Sequence, residues 1–258
     1  MKLLFKIIAG IVLLGVGIVA LVFYMTSGLV ETADGFFTAI KQNDFAKAKT
    51  FLAEDFKAST DDAALKEFVS KSALQGYKKA SWNSREFSGS NGEINGSITT
   101  ETGGEIPMKI TFVKESSGWK IYALIKTPPG LAHKELPAPI PGKAELIAMA
   151  KRSMHDFAIS VNKKSMEHFR STISGLWQRQ YTTEKLNEGF ASVIKSGIDL
   201  TLLDAIDPNL NGDAILDKDN VLVLDGVFPG TQTQVLFQQK YVFEGIGWKL
   251  IAFEFHVK

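Results

Sequence analysis

The chain contains no cysteine. Disulfides, thiol nucleophiles and Cys-based zinc sites are therefore excluded, and any folded part rests on its apolar core alone. Histidine is scarce, with four in 258 residues. No P-loop, GxGxxG, HExxH or GxSxG string occurs, so the phosphate-cradling, dinucleotide, zinc-protease and serine-hydrolase chemistries tied to those strings have no footing. Charge of either sign is not in excess. Setting aside Lys2 and Lys6, 27 basic residues face 28 acidic ones. A nucleic-acid partner would leave a basic footprint, and anionic headgroups would call for one too. Proline is sparse and clustered: five of eight lie in residues 128–142, PPGLAHKELPAPIPG.

Charge is missing altogether from Ile7 to Met25, a run of 19 residues. At about 1.5 Å per residue such a helix matches the ~30 Å hydrocarbon core of a bilayer. Lys2 and Lys6 precede the run, and the next positive residue is Lys41. The positive-inside rule keeps the N-terminus in the cytoplasm and sends residues 26–258 across. Residues 1–25 thus read as an uncleaved anchor that meets the membrane through residues 3–25. The alternative, a cleaved signal peptide, would use a shorter apolar core and a better exit than Thr26-Ser27-Gly28. The expected location is a bacterial cytoplasmic membrane, single-pass, with residues 26–258 periplasmic or extracellular.

Beyond the anchor the pattern is helical. Leu29, Val30, Ala33, Phe36, Phe37 and Ile40 form one stripe. Asn43 can close this helix and Asp44 can cap the next, which the spacing predicts over Phe45 to Phe56. Thr60-Asp61-Asp62 starts a third, carrying Leu65, Phe68 and Val69. The period then drops to two. Ile94, Gly96 and Ile98 alternate with polar residues, as do Ile106, Met108, Ile110 and Phe112, then Trp119, Ile121, Ala123 and Ile125. A stretch near Lys79 to Phe87 supplies a first strand. Helices first and antiparallel strands after means α+β. The proline-rich segment 128–142 is a stiff linker.

The second half repeats the first. Ala144 to Val161 is again a helical stripe, and Asn162-Lys163-Lys164 replaces the polar break. At an offset of 121, Met166, Phe169, Ile173 and Trp177 stand opposite Phe45, Ala48, Leu52 and Phe56. Thr182-Thr183-Glu184 replaces the third start. Strands return at Val221 to Leu224, Thr233 to Phe243 and Trp248 to Phe255. Gly118-Trp119-Lys120-Ile121 is answered by Gly247-Trp248-Lys249-Leu250, after an insertion around residues 204–220. The expectation is an anchor (1–25), a first domain (26–127), a linker (128–142) and a second domain (143–258). Each domain would pack about three helices on a curved antiparallel sheet of about four strands.

On the long first helix, the polar break before a short second helix (Ala39 to Ala48) and the late Gly-Trp-Lys, each half resembles the NTF2-like, or cystatin-like α+β cone, superfamily. The resemblance implies a curved sheet wrapped on helices with a cavity between. It also implies a range of roles: isomerases and cyclases, VirB8-like components of secretion machines, and modules that bind small molecules or dimerise.

Catalysis in such a cone needs a carboxylate or histidine inside the cavity. The alternating strand positions are apolar in the first half. In the second, Val235, Phe237, Tyr241 and Phe243 show one polar tip, Tyr241. His155 and His168 are 13 residues apart on helices, His256 ends the last strand, and His133 lies in the linker; none forms a pair on one face. The string Asp207-Pro208-Asn209-Leu210-Asn211-Gly212-Asp213 starts like a calcium loop, but Lys218 stands at the twelfth position, with Asp217 and Asp219 beside it. It reads equally as an Asn/Gly-rich turn between strands. Trp119, Trp177 and Trp248 read as core, and Trp82 as core or a stacking surface.

No catalytic residue, metal ligand or cofactor is assigned from these readings. They favour a non-catalytic, membrane-anchored envelope protein whose tandem domains bind a partner protein or a small apolar ligand, with self-association open. The alternatives are an isomerase- or cyclase-type enzyme and a VirB8-like assembly component.

Overall fold

A computed structural model of the chain describes residues 27–127, 138–230 and 234–258. The expected anchor, residues 128–137 of the linker with His133, and Thr233 lie outside the described residues. Among the described residues, no helix is long and apolar enough to cross a membrane.

The chain is α+β. Compactness divides it into two units that do not follow its order. The first takes the described residues up to Ala53 and those from Val69 through the first sheet. The second takes Glu54–Phe68 and the described residues from 138 on. The sequence reading drew its border in the proline-rich segment; the units differ from it in assigning 54–68 forward.

In the first unit, helix α1 (27–41) buries Leu29, Ala33, Phe36, Phe37 and Ile40. Asn43 closes it in the left-handed region, at φ 57, where asparagine tolerates positive φ better than most side chains. The Asp44 carboxylate accepts from Lys47 N–H at 2.9 Å and caps α2 (Phe45–Lys49). The helix expected over Phe45 to Phe56 is interrupted here. Phe51 to Ala53 pair instead with the last strand: Ile121 N–H donates to Phe51 O at 2.8 Å and Ala53 N–H to Ile121 O at 2.9 Å. A segment whose backbone groups are taken by a strand cannot continue a helical ladder. Helicity resumes in α3 (Glu54–Ser59), which belongs to the second unit, followed by α4 (Asp62–Lys71), whose last residues return to the first. The sheet is a meander, β1 (Tyr77–Ser88), β2 (Asn91–Thr100), β3 (Glu105–Glu115) and β4 (Gly118–Lys126), each antiparallel to the next. Ile94, Ile98, Met108, Ile110, Phe112 and Ile121 are its buried face.

In the second unit, α5 (Lys143–Asn162) leads, followed by four short helices where the sequence suggested two. These are α6 (Glu167–Thr172), α7 (Gly175–Gln180), α8 (Thr183–Gly189) and α9 (Ala191–Ser196). Strands β7 (Leu222–Phe228), β8 (Val235–Glu244) and β9 (Gly247–Val257) form the sheet, and two short pieces, β5 (Asn209–Leu210) and β6 (Ile215–Leu216), both pair with β7. Phe157 sits at the centre of the core, its ring 5.3 Å from Phe169, 4.8 Å from Phe190 and 4.9 Å from Phe253. Asp55, buried on α3, forms an ion pair with Arg179 of α7.

Positions 121 apart on the helices, and 129 apart on the last strands, carry the same backbone bonds. Asp44 N–H donates to Ala39 O, and Ser165 N–H to Ser160 O. Ala53 N–H donates to Ile121 O, and Ser174 N–H to Leu250 O, both at 2.9 Å. Lys164 repeats the left-handed closure of Asn43, at φ 54. A bulge lies at Thr111/Phe112 and another at Lys240/Tyr241.

Candidate functional site

The second unit holds a cleft of about 300 Å³, at the small end of the ~300–1,000 Å³ usual for small-molecule sites. One wall is a face of α5. Met149, Arg152, Ser153 and Asp156 follow the i, i+3, i+4, i+7 spacing that aligns side chains on a helix. Tyr241 of β8 and Trp248, Lys249 and Leu250 of β9 form the floor, and residues 58–61 and the end of α6 (Ser171, Thr172) complete the rim.

A directed chain of hydrogen bonds fixes the inner wall. Gln239, fully buried, donates from Nε2 to Ala150 O at 3.3 Å. Its Oε1 is then the acceptor for the Tyr241 hydroxyl, at 2.7 Å. Tyr241 has one proton to give, so the Ser153 hydroxyl, 2.9 Å away, donates to the Tyr241 oxygen. Burial holds the Tyr241 phenol protonated by pushing its pKa well up. Ser59, Ser171 and Thr172 likewise spend their protons on the carbonyls of Phe56, His168 and Phe169. These four hydroxyls therefore offer lone pairs to anything in the cleft.

Two carboxylates and two cations share the lining. Asp61 caps α4 by accepting from Ala64 N–H at 2.7 Å. Asp156 meets His168 Nε2 at 3.0 Å. Lys249 is half-buried; desolvation lowers its pKa, opposed by the field of Glu244 and reinforced by Arg152. Glu244, fully buried at the end of β8, accepts from Gly175 N–H at 2.7 Å. Among the described residues no carboxylate is within ion-pair distance of the exposed Arg152.

The equivalent groove of the first unit is filled. At the offset of 121, Met149, Asp156 and Thr172 correspond to Gly28, Gly35 and Phe51. A Cβ on Gly35 would lie 2.5 Å from the Phe51 ring, and one on Gly28 would lie 3.0 Å from Trp119 Cδ1. Glycine at both places lets these rings occupy the groove. The Thr32 hydroxyl donates to Gly28 O at 2.7 Å, where Ser153 instead joins the Tyr241 chain.

The residues singled out from sequence fall variously. Tyr241 and Trp248 line the cleft, and His168 touches it through Asp156. His155 lies elsewhere on α5, 2.8 Å from Asp204, and His256 is exposed on β9. Trp82, Trp119, Trp177 and Trp248 are half-buried and not fully enclosed; Lys114 Nζ lies 5.6 Å from the Trp119 ring centre. Asp207 is bonded to Lys151 Nζ at 2.7 Å. Asn209 and Leu210 pair with β7, Asn211 N–H donates to Asp225 O, and Gly212 and Asp213 fall in the break before β6. Asp217 closes the β6–β7 turn by accepting from Asp219 and Val221 N–H, both at 2.9 Å. Among the described residues, no group of three or more His, Asp or Glu is placed to hold a metal. Arg152, Ser153 and Asp156 carry no sequence motif, and Asp61 and Lys249 figure in the sequence only as a helix start and a repeat, not as site residues. The α5 spacing was the available signal, but charges on a helix read as a solvated face until the opposing wall is known.

No family model matches the chain, and no curated protein does. Among solved structures, a cystatin-like protein from Ruminococcus gnavus is similar at 12% identity over 88% of this chain and 89% of that one, with a TM-score of 0.28.

Proposed function

We propose that this chain is a membrane-anchored binding protein whose second unit takes a small polar ligand in the α5–β9 cleft. The observation that carries this is the contrast between the units. Where one fills its groove with Phe51 and Trp119, the other keeps about 300 Å³ open and lines it with Arg152, Lys249, Asp61 and Asp156. Lys249 is held half-buried in this lining at a cost in desolvation, and ligand binding gives that cost a use. The expectation of an apolar ligand gives way to a polar one in this proposal. The charge-free run from Ile7 to Met25 supports attachment to a membrane.

The test is to close the cleft with the first unit's own plug. Thr172→Phe combined with Asp156→Gly should abolish binding of small polar probes, followed by calorimetry, while the melting transition stays cooperative. Unchanged binding by this variant would refute the assignment. The anchor is checked by fractionation: the full chain should resist alkaline extraction from membranes, and deletion of residues 1–25 should release it.

An isomerase-type reading rests on one observation, the Asp156–His168 pair at 3.0 Å on the rim of the cleft. That arrangement could relay a proton to a bound ligand. Turnover of the ligand, lost in His168→Gln with binding retained, would establish it.

A further inference from the structure

We infer that the ligand of the α5–β9 cleft is a small zwitterion, of the class of a free α-amino acid; this rests on the binding function proposed above. The lining specifies both signs of charge. Arg152 and Lys249 are two cations of the lining; desolvation disfavours the charged form of Lys249, Glu244 opposes this, Arg152 adds to it, and Asp61 and Asp156 counter it more weakly. An anionic group between the two cations favours the charged form. Asp61 and Asp156 face the same space. A simple anion would gain from the cations and lose to these carboxylates, and a simple cation the reverse. A molecule carrying both charges satisfies the pair of pairs. Arg152 and Asp156 are one turn apart on α5, about 6 Å of rise, so one small molecule reaches both.

The hydrogen-bond inventory agrees. Ser59, Ser153, Ser171 and Thr172 have committed their protons inward, and with the two carboxylates they make six acceptors around the cleft. The charged donors are the Arg152 guanidinium and the Lys249 ammonium. The ligand must therefore bring donors to one side, as an ammonium does with three, and acceptors to the other, as a carboxylate does. A neutral sugar could exchange hydroxyl bonds with this lining, but it would bring no charge to either the cations or the carboxylates. A stacking platform is also compromised, because Trp248 is already packed edge-on with Phe243, at 5.5 Å and 81°.

The experiment is calorimetry on the full-length chain with glycine, leucine, glutamate and lysine as probes, against acetate, methylamine, phosphate and glucose. At least one amino acid should bind saturably. Its methyl ester and its N-acetyl derivative, each lacking one charge, should bind about tenfold more weakly or worse, the usual scale for losing a charge-assisted bond. Arg152→Gln and Asp61→Asn should each produce a similar loss, and Asn at 61 keeps the helix cap. If acetate, phosphate or glucose binds and the amino acids do not, the zwitterion assignment falls. The binding function then stands, provided the Thr172→Phe/Asp156→Gly plug abolishes that binding. If no probe of any class binds, the binding function falls with it.

Discussion

Lys164 holds a conformation that suits it badly. Its φ of 54 lies where a Cβ crowds the following carbonyl, a cost of about 1–2 kcal/mol for most L-residues. The equivalent Asn43 tolerates the same geometry better. Lys164 is exposed, so Lys164→Gly sacrifices no packing and should gain about 0.5–1 kcal/mol after the entropy cost of glycine. A rise in melting temperature of a few degrees would register it. Tyr77 reports on the first unit through pH. Burial, then the nearby Asp34 carboxylate, push its pKa up to about 12. The folded chain thus holds this proton after the unfolded chain has lost it near pH 10. Stability is unaffected below about pH 10 and falls as pH rises from there towards 12. Tyr77→Phe should flatten that fall, as read by urea titrations at stepped alkaline pH. Single residues of this kind were partly legible in advance. The caps at Asp44 and Thr182 and the closure at Asn43 follow from local backbone chemistry and need no tertiary information. Within the Thr60-Asp61-Asp62 start, the Asp61 carboxylate caps α4 while Thr60 is drawn into the buried side.

Phe157 shows why the helices were easy to find and their packing was not. It lies on the buried stripe of α5 with Met154, Ala158 and Val161, a pattern visible in the spacing. Its partners, Phe169, Phe190 and Phe253, come from α6, the end of α8 and β9. No periodicity connects segments so far apart. Phe157→Ala should cost about 3–5 kcal/mol, as buried aromatic truncations do, and denaturant unfolding would measure it. The break in the helix expected over Phe45 to Phe56 has the same origin, since Phe51 to Ala53 join β4 through bonds to Ile121. The insertion around residues 204–220 became two short strands on one edge of β7; its Asn and Gly residues signalled a turn, and the break between β5 and β6 uses them. The cleft was least legible. Its walls come from α5, β8, β9 and the 58–61 segment, and an open space leaves no sequence pattern of its own. Trp119 and Trp248 read as core from the sequence; both are half-buried, and in the second unit Trp248 and Lys249 line the cleft.

At the scale of the whole molecule, the second unit depends on chain that precedes the first sheet. Asp55, Phe56, Ser59 and Thr60 are buried, and the 54–68 segment groups with residues beyond 132. A fragment spanning 132–258 should therefore unfold less cooperatively and at lower denaturant than the same unit in the full chain, measured by urea titration. An equally stable fragment would show that 54–68 is dispensable. The borrowing also bears on inheritance. A crossover between Ala53 and Glu54, between Phe68 and Val69, or in the proline-rich stretch severs at least one unit. Gene fusion and exon-style shuffling can exchange modules that lie end to end, but this pair can only be passed on, or lost, together.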